Sequence, residues 1–306
     1  MSAALEAVLT PELRSVRSAD FQTLIPKLAK CRTTSAGIQL LTRKVETEHD
    51  IVLGDARTAK LEPQSVHLVV TSPPYWTLKE YPRRKGQIGR LADYSEFLES
   101  LTDVWRNCFD ALVPGGRLVC VIGDVCLSRR ENKGRHTVVP LHASVQNHCT
   151  EIGFDNLAPI IWHKISNLKT EVSNGNGSYL GKPYEPNGVV KNDIEFILML
   201  RKPGGYRRPS PAARLLSLIA AEDHDRWFRQ IWNDIPGAST KQHPAPFPVE
   251  LAERLVRMFS FVGDTVLDPF AGTASTQVAA RNTGRNSLGI EIEPAYRDLA
   301  LKRLGQ

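Results

Sequence analysis

Two consecutive prolines, Pro73 and Pro74, stand one residue behind the apolar run VHLVVT at 66–71, and they restrict this chain more than any other feature. A run of that kind reads as a buried strand. Proline has no N–H to give a sheet ladder, so the strand must end at Thr71 or Ser72. The fixed φ of two prolines then makes a stiff turn that holds Tyr75 and Trp76 at a sheet edge.

Strands and helices alternate around that turn. Residues 1–47 read as short helices, with Thr10-Pro11-Glu12 and Ser18-Ala19-Asp20 as starts. A helix over 93–112 places Phe97, Leu98, Leu101, Val104, Trp105, Phe109 and Leu112 at helical spacing, then stops at VPGG before a strand at 117–123. A helix near 138–150 precedes a strand at 157–163, and IEFILML at 194–200 is another strand. An amphipathic helix at 247–263 leads to the strand TVLDPF, a Gly turn, a helix at 275–283, the strand SLGIEI and a last helix from Pro294. Such alternation implies a mostly parallel sheet with helices on both faces. Two irregular stretches interrupt it, at 164–193 and 203–230.

Composition narrows the functional classes. No apolar run approaches the roughly 20 residues needed to cross a bilayer, and the N-terminus lacks the pattern of a signal peptide. Five cysteines without a Cys-x-x-Cys pair argue against both a disulfide framework and a zinc cluster, so the expected location is cytoplasmic. No His/Cys/Asp cluster has metal-ligand spacing. The net charge of +6 is modest, but its placement points to nucleic acid. TLKEYPRRKGQIGR at 77–90 sets five basic residues against one acid, and SRRENKGRH at 128–136 sets four against one. Both follow strands, so both belong to loops at the edge that carries the aromatic turn.

The C-terminal stretch GDTVLDPFAGTASTQVAARNTGRNSLGIEIEPAY is a strand–loop–helix–strand module. Its small-residue turn lets backbone amides approach a ligand, and the helix behind it offers a positive end. Glu291 follows about 20 residues later at the end of the next strand, where it can accept from ribose hydroxyls. Gly-rich turns of purely structural purpose are equally common. A full GxGxxG is missing, which disfavours a dinucleotide and with it a dehydrogenase.

Together the two halves resemble the amino-methylating DNA methyltransferases that use S-adenosyl-L-methionine. Ser72-Pro73-Pro74-Tyr75 matches that family's catalytic motif, and Phe270-Ala271-Gly272-Thr273-Ala274 matches its Phe-x-Gly-x-Gly cofactor motif, with Ala274 in place of the second glycine. KQHPAPFP at 241–248 and Gly54-Asp55 match two further blocks. Catalytic block first and cofactor block last is the permuted, beta-type order, and the resemblance runs from about residue 50 to the C-terminus. It implies a Rossmann-like fold with a catalytic domain at 48–306, its catalytic half at 48–163 and its cofactor half at 236–306. The stretches at 164–193 and 203–230 become target-recognition insertions. The methyl of Ala274 is expected to crowd the cofactor or shift the backbone.

The resemblance also assigns roles. Ser72 and the Pro73 carbonyl would hold the hydrogens of an exocyclic amine, with Pro74 stiffening the turn and Tyr75 stacking on a base rotated out of the duplex. Trp76 either extends that platform or belongs to the core. Asp55 would meet the adenine amine, Phe270, Gly272 and Thr273 the methionine side, and Glu291, with Glu293 as alternate, the ribose, while Asp268 is also expected at the cofactor. Lys241 and His243 either hold the cofactor carboxylate or brace their loop. Asp124, at a strand edge near the cleft, is a candidate for a direct role. Lys79, Arg83, Arg84, Lys85, Arg129 and Arg130 are expected on DNA, as are Arg207 and Arg208, whose replacement should weaken binding. Ser-Pro-Pro-Tyr and KQHPAPFP resemble the cytosine-N4 group, so the expected product is N4-methylcytosine in double-stranded DNA. An adenine-N6 enzyme, an RNA or protein methyltransferase and a catalytically silent regulator stay open. A cognate restriction endonuclease is a candidate partner, in a monomer or homodimer without membrane contact.

Overall fold

The computed structural model describes residues 2–16, 21–76, 81–130, 132–164, 192–237 and 248–306. Its strands are β1 (His49–Leu53), β2 (Val66–Thr71), β3 (Leu112–Ile122), β4 (Val125–Leu127), β5 (Thr137–Val139), β6 (Asp155–His163), β7 (Ile194–Arg201), β8 (Ile231–Trp232), β9 (Thr265–Asp268) and β10 (Asn286–Glu291). Eight of them form one sheet in the order β1-β10-β9-β2-β3-β7-β6-β8, and β4 and β5 form a hairpin. β1, β10, β9, β2 and β3 run parallel, as does β8 to β6, while β7 lies antiparallel between β3 and β6. The mostly parallel sheet expected from the alternation is therefore present.

β2 ends at Thr71, as the prolines require. The helix before β3 ends earlier than expected, and VPGG lies inside the strand. Pairing jumps from Val66↔Leu112 to Leu68↔Arg117, a bulge that absorbs Pro114, Gly115 and Gly116. Gly115 takes φ 77°, where a Cβ would meet the Gly205 carbonyl at 2.7 Å.

Each face of the sheet is covered by helices whose apolar stripe the sequence showed. The described helices are α1 (Ser2–Val8), α2 (Pro11–Arg14), α3 (Phe21–Lys30), α4 (Arg32–Thr42), α5 (Tyr94–Ala111), α6 (Leu141–Ile152), α7 (Pro211–Leu216), α8 (Ala221–Trp227), α9 (Val249–Phe259), α10 (Ser275–Asn282) and α11 (Pro294–Leu304). Asp93 caps α5 by accepting from the Glu96 N–H at 2.9 Å. On one face α5 and α6 bury Phe97, Leu101, Trp105 and Leu141 against Val69, Leu118 and Cys120. On the other, α9 and α10 bury Leu255, Val256 and Ala279 against Leu68, Val70 and Val119. Consecutive residues of β2 thus feed opposite cores, each large side chain contributing about 2 kcal/mol. A third cluster joins Leu5, Leu9 and Phe21 of the N-terminal segment to α7 and Val262, at the edge where β9 begins.

At that edge Arg285 is 2 % exposed and joins two helix ends. Its Nη2 donates to the Ser260 carbonyl at the end of α9, its Nη1 to the Thr283 carbonyl at the end of α10, and its Nε to Ser260 Oγ. A guanidinium there meets the negative ends of two helix dipoles.

The antiparallel run of β7 sets where the second insertion begins. Its first residues lie beside the end of β3, but its last lie beside the start of β3, since Arg201 pairs with Arg117. Residues 202–210 therefore emerge at the edge opposite the proline turn. There Arg207 forms two hydrogen bonds of 2.6 and 2.5 Å to Asp264, just before β9, and Arg208 is exposed nearby. Neither arginine reaches the edge where the basic loops gather.

Candidate active site

Thr71 closes β2 and donates from Oγ1 to Asp268 Oδ1 at 2.6 Å, which ties the proline turn to the end of β9. The turn then folds back on itself, with the Ser72 and Tyr75 hydroxyls hydrogen-bonded at 3.0 Å. Tyr75 is 6 % exposed and packs into the core under α5. Burial pushes its phenol pKa well up, and the nearby Glu195 charge adds to the rise. Its ring face is thus covered in this conformation. Trp76 also packs against that core, its ring 4.9 Å from Tyr94, in a left-handed backbone conformation with φ 39°. Of the two readings open for Trp76, the structure shows the core contact and not an exposed platform. Above the turn, Gly89 sits where a Cβ would come 2.4 Å from the Tyr81 ring and 3.0 Å from Pro74, so glycine lets residues 81–91 lie on the prolines.

Asp268 is 1 % exposed and fully engaged within the protein. It accepts from Thr71 Oγ1, from the Phe270 N–H at 3.0 Å and from Thr276 Oγ1 at 2.8 Å. Burial raises its pKa to about 6 in spite of these three bonds. It braces the turn between β9 and α10 and does not line the pocket described below, contrary to the expected cofactor contact. Glu291 holds the same turn from the other side, Oε2 accepting from the Gly272 N–H at 2.7 Å and Oε1 from the Glu293 N–H at 2.8 Å. Gly272 and Ala274 both take positive φ, 50° and 68°. Glycine would be the relaxed residue at 274, but the alanine methyl fills a small cluster with Ile51, Ala271, Ala300 and Leu304. Ala274 is fully buried in that cluster and does not line the pocket described below. Thr273 is tied to Arg303, which donates to its carbonyl at 2.5 Å and to its hydroxyl at 3.1 Å.

One pocket unites the two distant halves. Asp55, Ser72, Pro74, Phe270 and Glu291 all line it, with Tyr81 and Tyr296 completing the wall. Gly272 and Thr273 do not line it. Asp55 is held by Arg57, whose Nη2 donates to Oδ2 at 2.6 Å and whose Nε reaches Oδ1 at 3.0 Å. Burial pushes the Asp55 pKa up, but the Arg57 hydrogen bonds and charge outweigh it, and the carboxyl ends below its usual range. Arg57 and Tyr81 were missed in the sequence. The Asp-x-Arg spacing was the available signal for the first, and the second carried none.

A second cavity adjoins the first and shares Gly86, Gln87 and Ile88 with it. Arg83, Arg84 and Lys85 line it with Arg57 and Arg90, so part of the first basic loop does gather beside the cleft. Arg129 and Arg130 are exposed in the turn of the β4–β5 hairpin, which leaves the same edge after β3. Asp124 accepts from His142 Nδ1 at 2.6 Å, and the His142 ring stacks on Phe196 at 3.8 Å. Beside them Glu195, nearly buried, pairs with Lys164. Lys79, Lys241, His243 and residues 165–191 of the first insertion lie outside the described residues.

Residues 66–302 match the family described as DNA methylase, the N6/N4 methyltransferases. The Type II methyltransferase M.MjaI of Methanocaldococcus jannaschii is 34 % identical over 296 residues, covering 87 % of this chain and 94 % of its own. A putative DNA modification methylase from Thermus thermophilus, solved in complex with S-adenosyl-L-methionine, is 53 % identical with a TM-score of 0.70, covering 84 % of this chain and 93 % of its own. The cytosine-N4-specific PvuII DNA methyltransferase shares the fold, with a TM-score of 0.61 at 20 % identity over 85 % of this chain and 87 % of its own.

Proposed function

This chain belongs to the DNA methylase family of N6/N4 methyltransferases, and on that footing we propose that it moves a methyl group from S-adenosyl-L-methionine to the exocyclic N4 amine of cytosine in duplex DNA. The observation that carries the reading is the convergence of Ser72 and Pro74 with Asp55, Phe270 and Glu291 in one pocket. The Thermus thermophilus relative with bound S-adenosyl-L-methionine supports the choice of cofactor.

The pocket suits a nucleoside. Each Glu291 oxygen accepts one backbone N–H and keeps a lone pair for a ribose hydroxyl. Asp55, kept ionised by Arg57, offers an acceptor for the adenine amine, and Phe270 and Ile290 supply apolar walls. When bound, the cofactor supplies an electrophilic methyl on a sulfonium. The chain supplies the rest. A cytosine amine is a weak nucleophile because its lone pair is delocalised into the ring. The Pro73 carbonyl, aimed by a turn that cannot rotate, accepts one N–H and draws the nitrogen towards tetrahedral geometry. Ser72 Oγ accepts the other when the Tyr75 hydroxyl orients it. Opening of the packed Tyr75–Trp76 segment accompanies entry of the base, which must leave the stack to be reached.

Arg83, Arg84 and Lys85, with Arg129 and Arg130, contact DNA phosphates beside the pocket. Ser-Pro-Pro-Tyr and KQHPAPFP carry the choice of cytosine. The test is incubation of the protein with labelled S-adenosyl-L-methionine and unmethylated duplex DNA, then digestion to nucleosides and mass spectrometry. The expected product is 4-methylcytosine, lowered about 10- to 100-fold by Tyr75→Phe with cofactor affinity unchanged. A 6-methyladenine product would overturn the base assignment and keep the mechanism. Bound cofactor without a methylated nucleoside would overturn DNA as the substrate.

A further inference from the structure

At the sheet edge opposite the proline turn, four parts of the chain meet around a cavity of about 80 Å³. Gln39 and Arg43 come from the end of α4, Ser217 from the end of α7, Arg257 from α9, and Asn282 and Arg285 from the end of α10. Three guanidiniums therefore share one small space. Glu253 is the carboxylate in its wall, and its Oε1 already accepts from Asn282 at 2.7 Å.

The charges in this cavity are poorly matched. The Arg43 side chain has no hydrogen-bonded or ionic partner among the described residues. Arg257 lies over the Trp227 ring at 4.7 Å and stands 3.6 Å from Asp223, while its buried Nη2 has no hydrogen-bond partner. Arg285 is buried and, among the described residues, donates only to a hydroxyl and two carbonyls. Helix ends offset part of that charge, but no carboxylate within ion-pair distance does so among the described residues. Burial pulls the pKa of both Arg257 and Arg285 down, and for a guanidinium this marks a charge that is costly to hold rather than a neutral group. Side chains bring these cations together from three elements, so their repulsion falls on the packing of the N-terminal segment against the sheet.

We infer that this cavity is an oxyanion site, taking a free inorganic phosphate- or sulfate-type ion that ties α4 to the ends of α7, α9 and α10. Guanidinium groups present paired N–H donors that match a tetrahedral oxyanion. The cavity has room for one such ion with a few waters. It opens at the edge where β9 and β10 begin, so a duplex held at the proline turn does not reach it. The ligand is therefore a small free ion and not the DNA backbone.

Thermal unfolding of the full chain tests this, with sodium phosphate titrated against sodium chloride at equal ionic strength. Phosphate is expected to raise Tm saturably, by about 2 °C at ten times its Kd. Arg43→Ala, at an exposed helix end, should keep the Tm in chloride and lose most of that rise. Arg257→Gln should lose it as well. A phosphate response no larger than that of chloride would overturn the proposal. So would a rise kept in full by both variants, which is the signature of general salt exclusion. Methylation is not the readout, so this outcome is independent of the methyl-transfer reading.

Discussion

Replacing Asp268 by asparagine conserves shape and removes a proton-binding site whose affinity differs between the folded and unfolded chain. Burial of the carboxylate raises its pKa from 3.8 to about 6, while the bonds from Thr71, Thr276 and the Phe270 N–H oppose that rise. The native state thus binds a proton more tightly than the unfolded chain between those two values. Unfolding free energy then falls as pH rises through this window and is regained on acidification. Between pH 7.5 and pH 5.0 the wild-type gain from this one group is on the order of 1 kcal/mol. Asparagine cannot make that gain. The stability deficit of Asp268→Asn relative to wild type should therefore widen by roughly 1 kcal/mol from pH 7.5 to pH 5.0. Glu291, whose pKa is raised first by its own burial and further by the Asp268 charge, moves the difference in the same direction. Urea unfolding of both proteins at the two pH values, followed by tryptophan fluorescence, measures it. A deficit that stays constant or narrows at pH 5.0 would show that the three hydrogen bonds outweigh burial, and the account of this network would fail.

Other perturbations separate scaffold from surface. Arg207→Met leaves the nearly buried Asp264 without its guanidinium and should cost about 2 kcal/mol of stability, with DNA affinity unchanged in a gel-shift titration. A marked loss of affinity would restore the original expectation for that loop. Glu291→Gln can accept only one of the two backbone N–H bonds, so calorimetry should find S-adenosyl-L-methionine bound about tenfold more weakly. Unchanged affinity would remove Glu291 from the cofactor site. The double change Arg83→Ala with Arg84→Ala should reduce the slope of log K against log salt by about 0.9 for each lost phosphate contact. An unchanged slope would take these residues off the DNA.

Legibility in the sequence followed the range of the forces involved. The end of β2 was readable because proline acts on its own backbone, and α5 because its apolar spacing and its Asp93 cap are local. IEFILML announced a strand but not its direction, since an apolar run carries no polarity. That missing sign hid that Arg207 and Arg208 emerge at the edge opposite the proline turn. The pocket was half legible. Asp55, Ser72, Phe270 and Glu291 sit in short motifs, whereas Tyr81 enters by packing through Gly89, a contact between loop segments. The direction of the Ala274 methyl was hidden because it depends on a left-handed backbone angle that alanine seldom adopts.

The bond from Thr71 to Asp268 joins residues 197 positions apart, and β2 finds β9 across the same interval. A growing chain adds about 5–20 residues each second, so β2 waits on the order of ten seconds or more for its neighbour. Throughout that time one side of the central strand has no partner, and its backbone is open to other chains. Yield in a cell should then depend on how quickly residues 72–268 are made, and on holding factors that shield the open strand until β9 arrives.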